Sequence, residues 1–593
     1  MDAPIGQALA KLNRQRTAPL ILELDLTEGV AQTRPAEPLA AFASRHQPTL
    51  PDILTGLREA ASDDRVLALV AKLGGRPIGL ATTQEVRGAI GRFRESGKPA
   101  IAWAETFGEF SAGNVPYYLA TAFDQIFLQP SGDVGLTGLA VERIFLRGAL
   151  DRLGVSFDVG ARHEYKNAAE QLTSSSFSAP SREAAEHLTG ALAAQLAEAI
   201  AERASIPEEE ATALLNGGPY LAGEALAKGL VDALGYRDEV YAAVRERAGA
   251  GTEAVLLYLG RYQRLRDLAD RARRMVTPRP QVVAMITANG GIRRGRSGRS
   301  PLTGSAIGSD TLTAALRAAT AYPRVRAILL RVNSPGGSYV ASDAVWREVV
   351  RTRNAGKPVV VSMGDVAASG GYYISMAADA IFVQPGTITG SIGVVTAKPA
   401  IGDMLAKAGI TSDSVVLGGH ATMFSALHPF TAAEWELVDA WLDHIYADFT
   451  GKVAAARRMS AGRVHEIARG RVWSGADALE NGLADELGGL EAAAAAARAR
   501  AGLPADSPVV SFPRISALER IRPAASSEDR RAAAGLGARA EIAGAATGTA
   551  ASLVAAGLAT IAAESWGPLW RLALDAGLPA TGPLLLPGAW VIS

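Results

Sequence analysis

The sequence predicts an α/β protein made of two copies of one domain. Short β-rich runs such as AILLRV and PVVVSM alternate with helical segments such as ASDAVWREVVRTRNAG, and this alternation is typical of βαβ crossovers in a largely parallel sheet. The chain has 593 residues, which is more than one hydrophobic core usually organises, so two or more domains are expected. An internal repeat indicates that they form a tandem duplication.

The repeat is about 250 residues long, and its segments keep their order and nearly their spacing in both copies. The paired segments are RVLALVAKL (65–73) with RVRAILLRV (324–332), SGKPAIAWAE (96–105) with AGKPVVVSMG (355–364), YYLATAFDQIFLQP (117–130) with YYISMAADAIFVQP (372–385), GLTGL (135–139) with GSIGV (390–394), and YLAGEALAKGLVDALG (220–235) with VWSGADALENGLADELG (472–488). A unit of this length suits a duplicated domain and not a solenoid repeat.

Changes in composition mark the domain boundaries. A basic segment at 258–279 ends near proline, and a new strand pattern, QVVAMITANGGI, begins at Gln281. We therefore assign the first copy to residues 1–275 and the second copy to residues 276–500. Beyond them, proline, serine and charged residues are mixed without periodicity, so 501–593 is predicted to be a linker and an Ala/Gly-rich apolar tail that could contact a membrane.

Composition excludes several classes of chemistry. Lys+Arg and Asp+Glu both total 60, so net charge gives no argument for binding nucleic acid or an anionic membrane. Cysteine is absent, which excludes a disulfide framework, a thiol nucleophile and a Cys-ligated zinc ion. No HExxH motif and no carboxylates at metal-ligand spacing occur, so no metal site is predicted.

Neither end of the chain carries a strong membrane signal. At the N-terminus, APLILELDL is soon interrupted by acidic residues, so neither a signal peptide nor a spanning helix is expected there. Near the other end, the 22 uncharged residues at 542–563 would span about 33 Å as a helix. Because they are mostly Ala, Gly and Thr, a packed or interfacial helix is the alternative to a transmembrane one.

The two copies differ at one serine. Aligning NVPYYLATAFD with SGGYYISMAAD places Asn114 opposite Ser369. The second copy also has a Pro-Gly-Gly turn, at Gly336 and Gly337, where the first copy reads AKLGGRPIGLAT. Backbone N–H groups of such glycines, and of Gly370, could stabilise a developing oxyanion. For the short motif ASGG alone, ordinary close packing at a strand–helix turn is the stronger interpretation.

A reactive serine needs a base, and the histidines offer no helpful motif. His163 and His420 occupy matching positions in the two copies, which favours a structural role, although a Ser-His-Asp triad could still assemble from distant positions. A lysine can serve instead if burial and the lack of a counter-ion keep its amine neutral. Lys166, in EYKNAAE, is such a candidate, and the second copy has Met423 at that position.

Each copy therefore keeps one half of a site. Considered alone, Lys166 would be interpreted as a solvated surface lysine, especially beside Glu164. The complementary loss of the lysine from one copy and of Ser369 from the other favours a single site built from both.

Three motifs, VNSPGGSYVAS, GDVAASGGYYISMAADAIFVQPGTITGSIGVV and EYKNAAE, together resemble the long, duplicated form of signal peptide peptidase A, also called protease IV, of the Clp protease–crotonase fold superfamily. The resemblance covers nearly the whole chain up to the predicted linker. It implies a tandem duplication of a Clp protease/crotonase-like β-β-α superhelix domain. It also implies a serine-lysine dyad that cleaves peptides through an acyl-enzyme.

The implied catalytic residues are Ser369 as nucleophile, Lys166 as general base and Ser391 as the hydroxyl that orients the lysine amine, and the implied oxyanion hole is Gly370 with Gly336 or Gly337. The resemblance further implies peptide substrates with apolar segments, notably cleaved signal peptides, a homotetramer, and association with the bacterial inner membrane. No cofactor, metal or nucleic-acid partner is implied. Family members often have an N-terminal membrane anchor that is not visible here, so a cytoplasmic location stays open.

Two alternatives from other classes remain. A crotonase-like acyl-CoA enzyme would use similar glycine N–H groups, but it should need acidic catalytic residues and a nucleotide pocket, for which the sequence gives no signal. A catalytically inactive, membrane-associated scaffold would fit a duplicated fold that kept binding alone. The presence of Ser369, Lys166 and Ser391 in one chain argues against the scaffold.

Overall fold

The computed structural model describes residues 17–33, 47–251, 253–274, 280–300 and 304–513, together with residue 526 and the pair 584–585. The strands are β1 Leu20–Asp25, β2 Val66–Leu73, β3 Ala100–Ala104, β4 Gln125–Leu128, β5 Asp133–Val134, β6 Ser156–Ala161, β7 Tyr220–Leu221, β8 Ala233–Leu234, β9 Val255–Tyr258, β10 Val282–Asn289, β11 Gly291–Arg293, β12 Gly298–Ser300, β13 Gly304–Gly308, β14 Val325–Ser334, β15 Gly336–Gly337, β16 Val359–Ala368, β17 Ala380–Val383, β18 Ile388–Gly390, β19 Val395–Ala400, β20 Val472–Ser474, β21 Glu486–Leu487, β22 Val509–Ser511 and β23 Leu584–Leu585.

The helices are α1 Leu50–Ala61, α2 Leu80–Arg94, α3 Asn114–Ala120, α4 Arg147–Leu153, α5 Glu170–Thr173, α6 Ala179–Ala204, α7 Glu208–Gly217, α8 Ala222–Ala227, α9 Arg237–Arg247, α10 Leu259–Arg274, α11 Ser309–Ala321, α12 Tyr339–Asn354, α13 Gly370–Tyr373, α14 Gly402–Lys407, α15 Ala432–Arg457, α16 Ala461–Ile467, α17 Gly475–Glu480 and α18 Leu490–Arg500.

The described residues form two compact units that interleave in the sequence. Unit 1 takes the residues up to Ala140 and Thr189–Pro280, and unit 2 takes Val141–Leu188 and the described residues from Gln281 to Leu585. The segment that carries Lys166 therefore belongs to the same unit as Ser369. The domain assignment made from the sequence, with its boundaries after residues 275 and 500, stays a prediction.

Unit 1 contains a six-stranded parallel sheet in the order β8-β4-β3-β2-β1-β9. Its central strands are apolar on both faces, as strands between two layers of helices must be. On one face, Ile21, Ile101 and Phe127 pack with Val240 and Val244 of α9. Helix α9, which follows the last repeat segment of the first copy, therefore packs on this face of the sheet and stabilises it.

Unit 2 repeats this order with β21-β17-β16-β14-β10-β22, and each of these pairs is again parallel. The strands β14 and β16 come from the segments that the sequence paired with β2 and β3. The identical order of six strands confirms the predicted α/β class and the tandem duplication of one fold.

Unit 2 also contains smaller sheets that surround the carboxyl ends of β14 and β16. The end of β16 pairs with β18, which pairs antiparallel with β20. Strand β6 pairs antiparallel with β19, and the Pro-Gly-Gly turn forms β15 in a sheet ordered β12-β13-β11-β15-β23. In parallel α/β sheets, sites usually lie at such carboxyl ends.

No helix within the described ranges is long and apolar enough to cross a bilayer. The apolar segment 542–563 lies outside the described residues, as does most of the predicted linker and tail, so the expectation of a spanning or interfacial helix there stays a prediction.

Candidate active site

Ser369 lies at the turn between β16 and α13. Its backbone N–H donates to the carbonyl of Gly390 at 2.8 Å, and its own carbonyl accepts from the N–H of Tyr373 at 2.9 Å. Its φ is 54°, a conformation that costs a non-glycine residue free energy and persists only where the surroundings enforce it. The side chain is fully buried. The strand–helix turn therefore holds the hydroxyl in one place.

Lys166 brings its amine directly to this hydroxyl. Its Nζ lies 2.9 Å from Ser369 Oγ, 2.9 Å from Ser391 Oγ and 2.8 Å from the carbonyl oxygen of Ser391. Only 2% of the residue is exposed, and this burial lowers the pKa of the amine well below its usual value. Burial has this sign for lysine because a low-dielectric environment disfavours the charged form.

Two glycines of unit 2 make room for the lysine side chain. A Cβ at Gly470 would lie 2.5 Å from Lys166 Cβ, and a Cβ at Gly393 would lie 3.2 Å from Lys166 Cδ. Gly470 has a φ of +84°, so a side chain there would be both strained and obstructed. Close backbone approach at these glycines therefore fixes the lysine against its partners.

Ser391 supplies two of the three contacts of the amine. It follows β18, has a φ of 49° and is fully buried. Its N–H donates to the carbonyl of Arg471 at 2.7 Å. This hydrogen bond fixes the backbone of Ser391, so its hydroxyl and its carbonyl both face the lysine amine from a fixed position.

The three predicted oxyanion glycines also lie beside the serine, but their N–H groups differ. The N–H of Gly336 donates to Ser334 Oγ at 3.2 Å. A Cβ on Gly370 would lie 3.1 Å from the nitrogen of Gly337. Because Ser338 N–H donates to β11, the N–H of the preceding residue, Gly337, points to the opposite edge, where β23 pairs. Of the two turn glycines, it is therefore Gly337 whose N–H is not directed at Ser334.

The corresponding positions of unit 1 have other contacts. Asn114, opposite Ser369, is buried and donates from Nδ2 to the carbonyl of Gly138 at 2.9 Å, while its Oδ1 accepts from the N–H of Thr137 at 3.2 Å. Leu136, opposite Ser391, is fully buried. Unit 1 thus uses this turn for packing and internal hydrogen bonds.

Sequence reasoning missed a buried ion pair close to the lysine. Arg143 Nη1 lies 3.3 Å from Glu170 Oε2, with the two side chains 4% and 7% exposed. Ser181 Oγ donates to the same carboxylate oxygen at 2.6 Å and accepts from the amide of Asn167, the residue after Lys166. Glu170 is the last residue of the EYKNAAE motif, so the sequence offered a reason to consider it. Arg143 and Ser181 lie in no motif that the sequence analysis identified.

The histidines do not assemble a triad around Ser369. The ring of His163 packs against Tyr446 in a tilted arrangement and edge-on against His465, with ring centroids 4.5 and 4.9 Å apart, and in the part of the chain that is described no histidine hydrogen-bonds Ser369 Oγ. Across the same ranges, no group of three or more His, Asp or Glu side chains is placed to hold a metal ion. The side-chain partner of Ser369 is Lys166.

Comparison with known proteins agrees with this geometry. The family model "Peptidase family S49" matches residues 92–251 and 351–504, one stretch in each repeat. The chloroplastic serine protease SPPA of Arabidopsis thaliana is 32% identical over 81% of this chain and 69% of its own. Protease 4 of Salmonella typhi is 34% identical over 75% of this chain and 71% of its own.

Among solved structures, a ClpP1 mutant from Listeria monocytogenes aligns with 35% of this chain and 91% of its own, at 16% identity and a TM-score of 0.23, too low to support any conclusion. The family match and the two long relatives are sufficient by themselves. The chain belongs to peptidase family S49, as a serine peptidase of the long, duplicated signal peptide peptidase A type.

Proposed function

We propose that the chain is an endopeptidase in which Ser369 attacks the scissile carbonyl and Lys166 acts as general base. The observation that carries this proposal is the 2.9 Å contact between Lys166 Nζ and Ser369 Oγ, made by an amine whose pKa burial lowers well below its usual value. A neutral amine has two N–H donors and one lone pair. If the donors face the carbonyl and hydroxyl of Ser391, the lone pair faces the Ser369 hydroxyl.

The reaction then proceeds in two balanced halves. Lys166 takes the hydroxyl proton as Ser369 Oγ bonds to the carbonyl carbon, giving a tetrahedral oxyanion. Collapse of this intermediate breaks the C–N bond, and the lysine ammonium gives its proton to the leaving amine. In the second half, Lys166 takes a proton from water as the water oxygen bonds to the ester carbon, collapse of this second intermediate breaks the bond from that carbon to Ser369 Oγ and releases the acid product, and the lysine ammonium returns the proton to Ser369 Oγ.

We assign the oxyanion hole to the N–H groups of Gly337 and Gly370. Donors of this kind act because they are already aimed at the position where negative charge develops. Gly336 supports the turn through its bond to Ser334, which makes it a positioning residue in this proposal. Ser391 likewise orients the lysine amine and touches no substrate atom.

Peptide substrates are proposed to bind as an extended strand along β15, in the place that Leu584–Leu585 takes. An extended segment already pairs there, because Leu584–Leu585 runs antiparallel to Gly336–Gly337. Added strands gain affinity from main-chain hydrogen bonds and specificity from alternate side chains. The pair is apolar, which supports apolar substrates such as cleaved signal peptides. We further propose a homotetramer and contact with a membrane, in keeping with the family resemblance.

The dyad is tested by hydrolysis of a fluorogenic apolar peptide. We expect Ser369→Ala and Lys166→Met each to lower kcat/KM by about a thousandfold or more, as loss of a nucleophile or its base does in other serine hydrolases. The matched control is Lys398→Met, since Lys398 is another buried lysine of unit 2 that donates to the carbonyl of Met423. If Lys166→Met kept wild-type activity while Ser369→Ala lost it, the base would lie elsewhere.

The acyl-enzyme and the substrate class are tested separately. With a slowly hydrolysed ester, mass spectrometry should find the acyl group on the tryptic peptide that contains Ser369. A synthetic apolar signal peptide should be cleaved with a higher kcat/KM than a polar peptide of equal length. Equal kcat/KM values for the two peptides would contradict the proposed preference for apolar substrates. They would not bear on the proposed serine-lysine dyad.

A further inference from the structure

Unit 1 contains an open cavity of about 390 Å³ that the proposed peptidase chemistry does not use. It lies where β1, β2 and β3 end, and α9 covers part of it. Its floor is formed by Asp25, Lys72, Trp103 and Glu105. Lys72 Nζ lies 2.9 Å from Glu105 Oε1 and 5.0 Å from the centre of the Trp103 ring. Ammonium, carboxylate and aromatic groups thus meet on one sheet face.

The opposite wall of the cavity has the same mixture. Tyr241 donates to Glu23 Oε1 at 2.5 Å, and Arg237 Nη2 lies 3.6 Å from the same oxygen. The guanidinium of Arg237 also lies over the Tyr241 ring, 4.1 Å from its centre. Tyr236 and Asp238 complete this wall. Positively and negatively charged side chains therefore line the cavity both on the strands and on helix α9.

Two polar groups of the floor lack a complete set of partners. The indole N–H of Trp103 is buried and has no acceptor among the described residues, although buried donors are almost always paired. Thr27 donates twice to Oδ1 of Asp25, at 3.0 and 2.6 Å, and no hydrogen bond from another described residue reaches Oδ2. A bound molecule with an acceptor and a cationic donor would complete both sets.

A buried arginine occupies the same place in unit 2. The strand registers put Arg331 where unit 1 has Lys72, and Ser362 where unit 1 has Trp103. Arg331 is 2% exposed and donates to Ser362 Oγ at 2.8 Å and to the carbonyl of Met363 at 3.1 Å. The cavity is therefore not a general consequence of the fold.

We propose that this cavity binds a zwitterion, namely a free amino acid or a short peptide with free ends. The four carboxylates that line it would repel a polyphosphate, whereas its two cations, Lys72 and Arg237, call for a carboxylate that a polyamine does not have. A molecule with one ammonium, one carboxylate and an apolar side chain meets a partner for each group: Asp25 for the ammonium, Lys72 for the carboxylate and the aromatic rings for the side chain. A volume of this size suits one or two residues.

Isothermal titration calorimetry of the full chain with the dipeptide Leu-Leu tests this proposal, and Ser369→Ala is used throughout so that no turnover occurs. We expect saturable binding of one dipeptide. Acetylating its amine or amidating its carboxylate should weaken binding about tenfold or more, because each change removes one charge-assisted contact. Lys72→Met should weaken binding similarly, and Trp103→Phe should weaken it by a smaller factor.

Lys228→Met is the matched control, because Lys228 belongs to the same unit, lies over the Tyr220 ring and does not line the cavity. It should bind the dipeptide as the parent does. Absence of saturable binding, equal binding of either blocked dipeptide, or unchanged binding by Lys72→Met would each overturn the proposal. Unchanged binding by Lys72→Met would mean that the dipeptide binds elsewhere, such as at the proposed peptide site along β15.

Discussion

Unit 1 and unit 2 build the same six-strand order, yet the residue at the start of the turn helix is Asn114 in one and Ser369 in the other. The asparagine binds its own loop through Gly138 and Thr137, whereas the serine faces the amine of Lys166. The comparison teaches that the parallel sheet fixes where a site can lie, and a few side chains at its carboxyl end decide whether chemistry takes place there.

Outside Ser369 and Lys166 themselves, the largest effect should come from the glycine that makes room for the lysine. Gly470→Ala places a methyl group 2.5 Å from Lys166 Cβ at a φ of +84°, so the amine must move. Displacements of about 1 Å in a catalytic group cost about 100-fold in rate, and we expect kcat/KM to fall by at least about that factor. Steady-state hydrolysis of the apolar peptide measures it.

The control for this variant separates strain from obstruction. Gly409 also has a positive φ, +74°, but nothing lies within 4 Å of the place its Cβ would take. Gly409→Ala should therefore keep its activity while losing only the stability that the strained φ costs. Equal loss of activity in both variants would mean that Gly470 acts only through the fold.

The pH profile tests the state of the amine. Because burial lowers the pKa of Lys166, kcat/KM should rise with pH through that depressed pKa and then stay level. Ser391→Ala removes an acceptor that stabilises the ammonium more than the neutral amine, so the rise should move to lower pH. Its kcat/KM should fall about 10- to 100-fold.

Ser507→Ala, at another buried serine of unit 2, is the control for Ser391→Ala and should leave both the profile and the rate unchanged. A profile that shows no rise at any pH below 10.5 at which the protein stays folded would contradict a lysine base. A rise that stays at the same pH in Ser391→Ala would show that this serine does not interact with the titrating amine.

A smaller effect is expected at the buried ion pair beside the lysine. Glu170→Gln keeps the shape of the side chain but leaves the Arg143 guanidinium without the carboxylate that faces it at 3.3 Å. Because Asn167 reaches this pair through Ser181, the adjoining lysine should lose positional order. We expect kcat to fall by about tenfold with little change in KM.

Glu434→Gln changes another buried glutamate of unit 2, one that caps α15 through Thr431, and serves as its control. It should lower thermal stability without lowering kcat. If Glu170→Gln lowered only stability and left kcat and its pH profile intact, the ion pair would have no role in positioning the lysine.

The sequence was sufficient for the fold class, and it predicted the pairing of Ser369 with Lys166 that their 2.9 Å contact shows, while their catalytic roles stay a prediction. The alternation of β-rich runs with helical segments and the internal repeat predicted the duplicated parallel sheet, and complementary loss singled out Ser369 and Lys166. A contact between residues that are distant in the sequence leaves no local sequence pattern. The sequence analysis therefore did not predict that Arg143 and Ser181 contact Glu170. The choice between Gly336 and Gly337 depends on which of the two N–H groups points to the edge of β15 where the substrate is proposed to bind. The strand register decides this, and a shift of one residue would reverse it.

Removing the lysine should change stability in a pH-dependent way. Between its depressed pKa and the usual 10.5, the unfolded chain binds a proton that the folded chain does not, so the stability of the wild type rises with pH by about 1.4 kcal/mol per pH unit. Lys166→Met lacks this term. It should melt at a higher temperature than the wild type near neutral pH, and the gain should shrink as the pH approaches 10.5.

Differential scanning calorimetry of the wild type, Lys166→Met and Lys398→Met at several pH values measures this difference. A gain in melting temperature that does not depend on pH would mean that better packing of the methionine, and not the cost of a neutral amine, is its cause.

The smallest effect on activity is expected from rebuilding the serine in unit 1. In a Ser369→Ala background, Asn114→Ser restores a hydroxyl at the corresponding turn, but Leu136 stands where an orienting serine would be needed. Hydrolysis should stay at the background rate. The chain should instead lose about 1–3 kcal/mol of stability, because the buried carbonyl of Gly138 and the N–H of Thr137 lose their partner. Restored turnover would show that the turn alone makes a serine reactive, and that the difference between the units is one residue and not an arrangement of several.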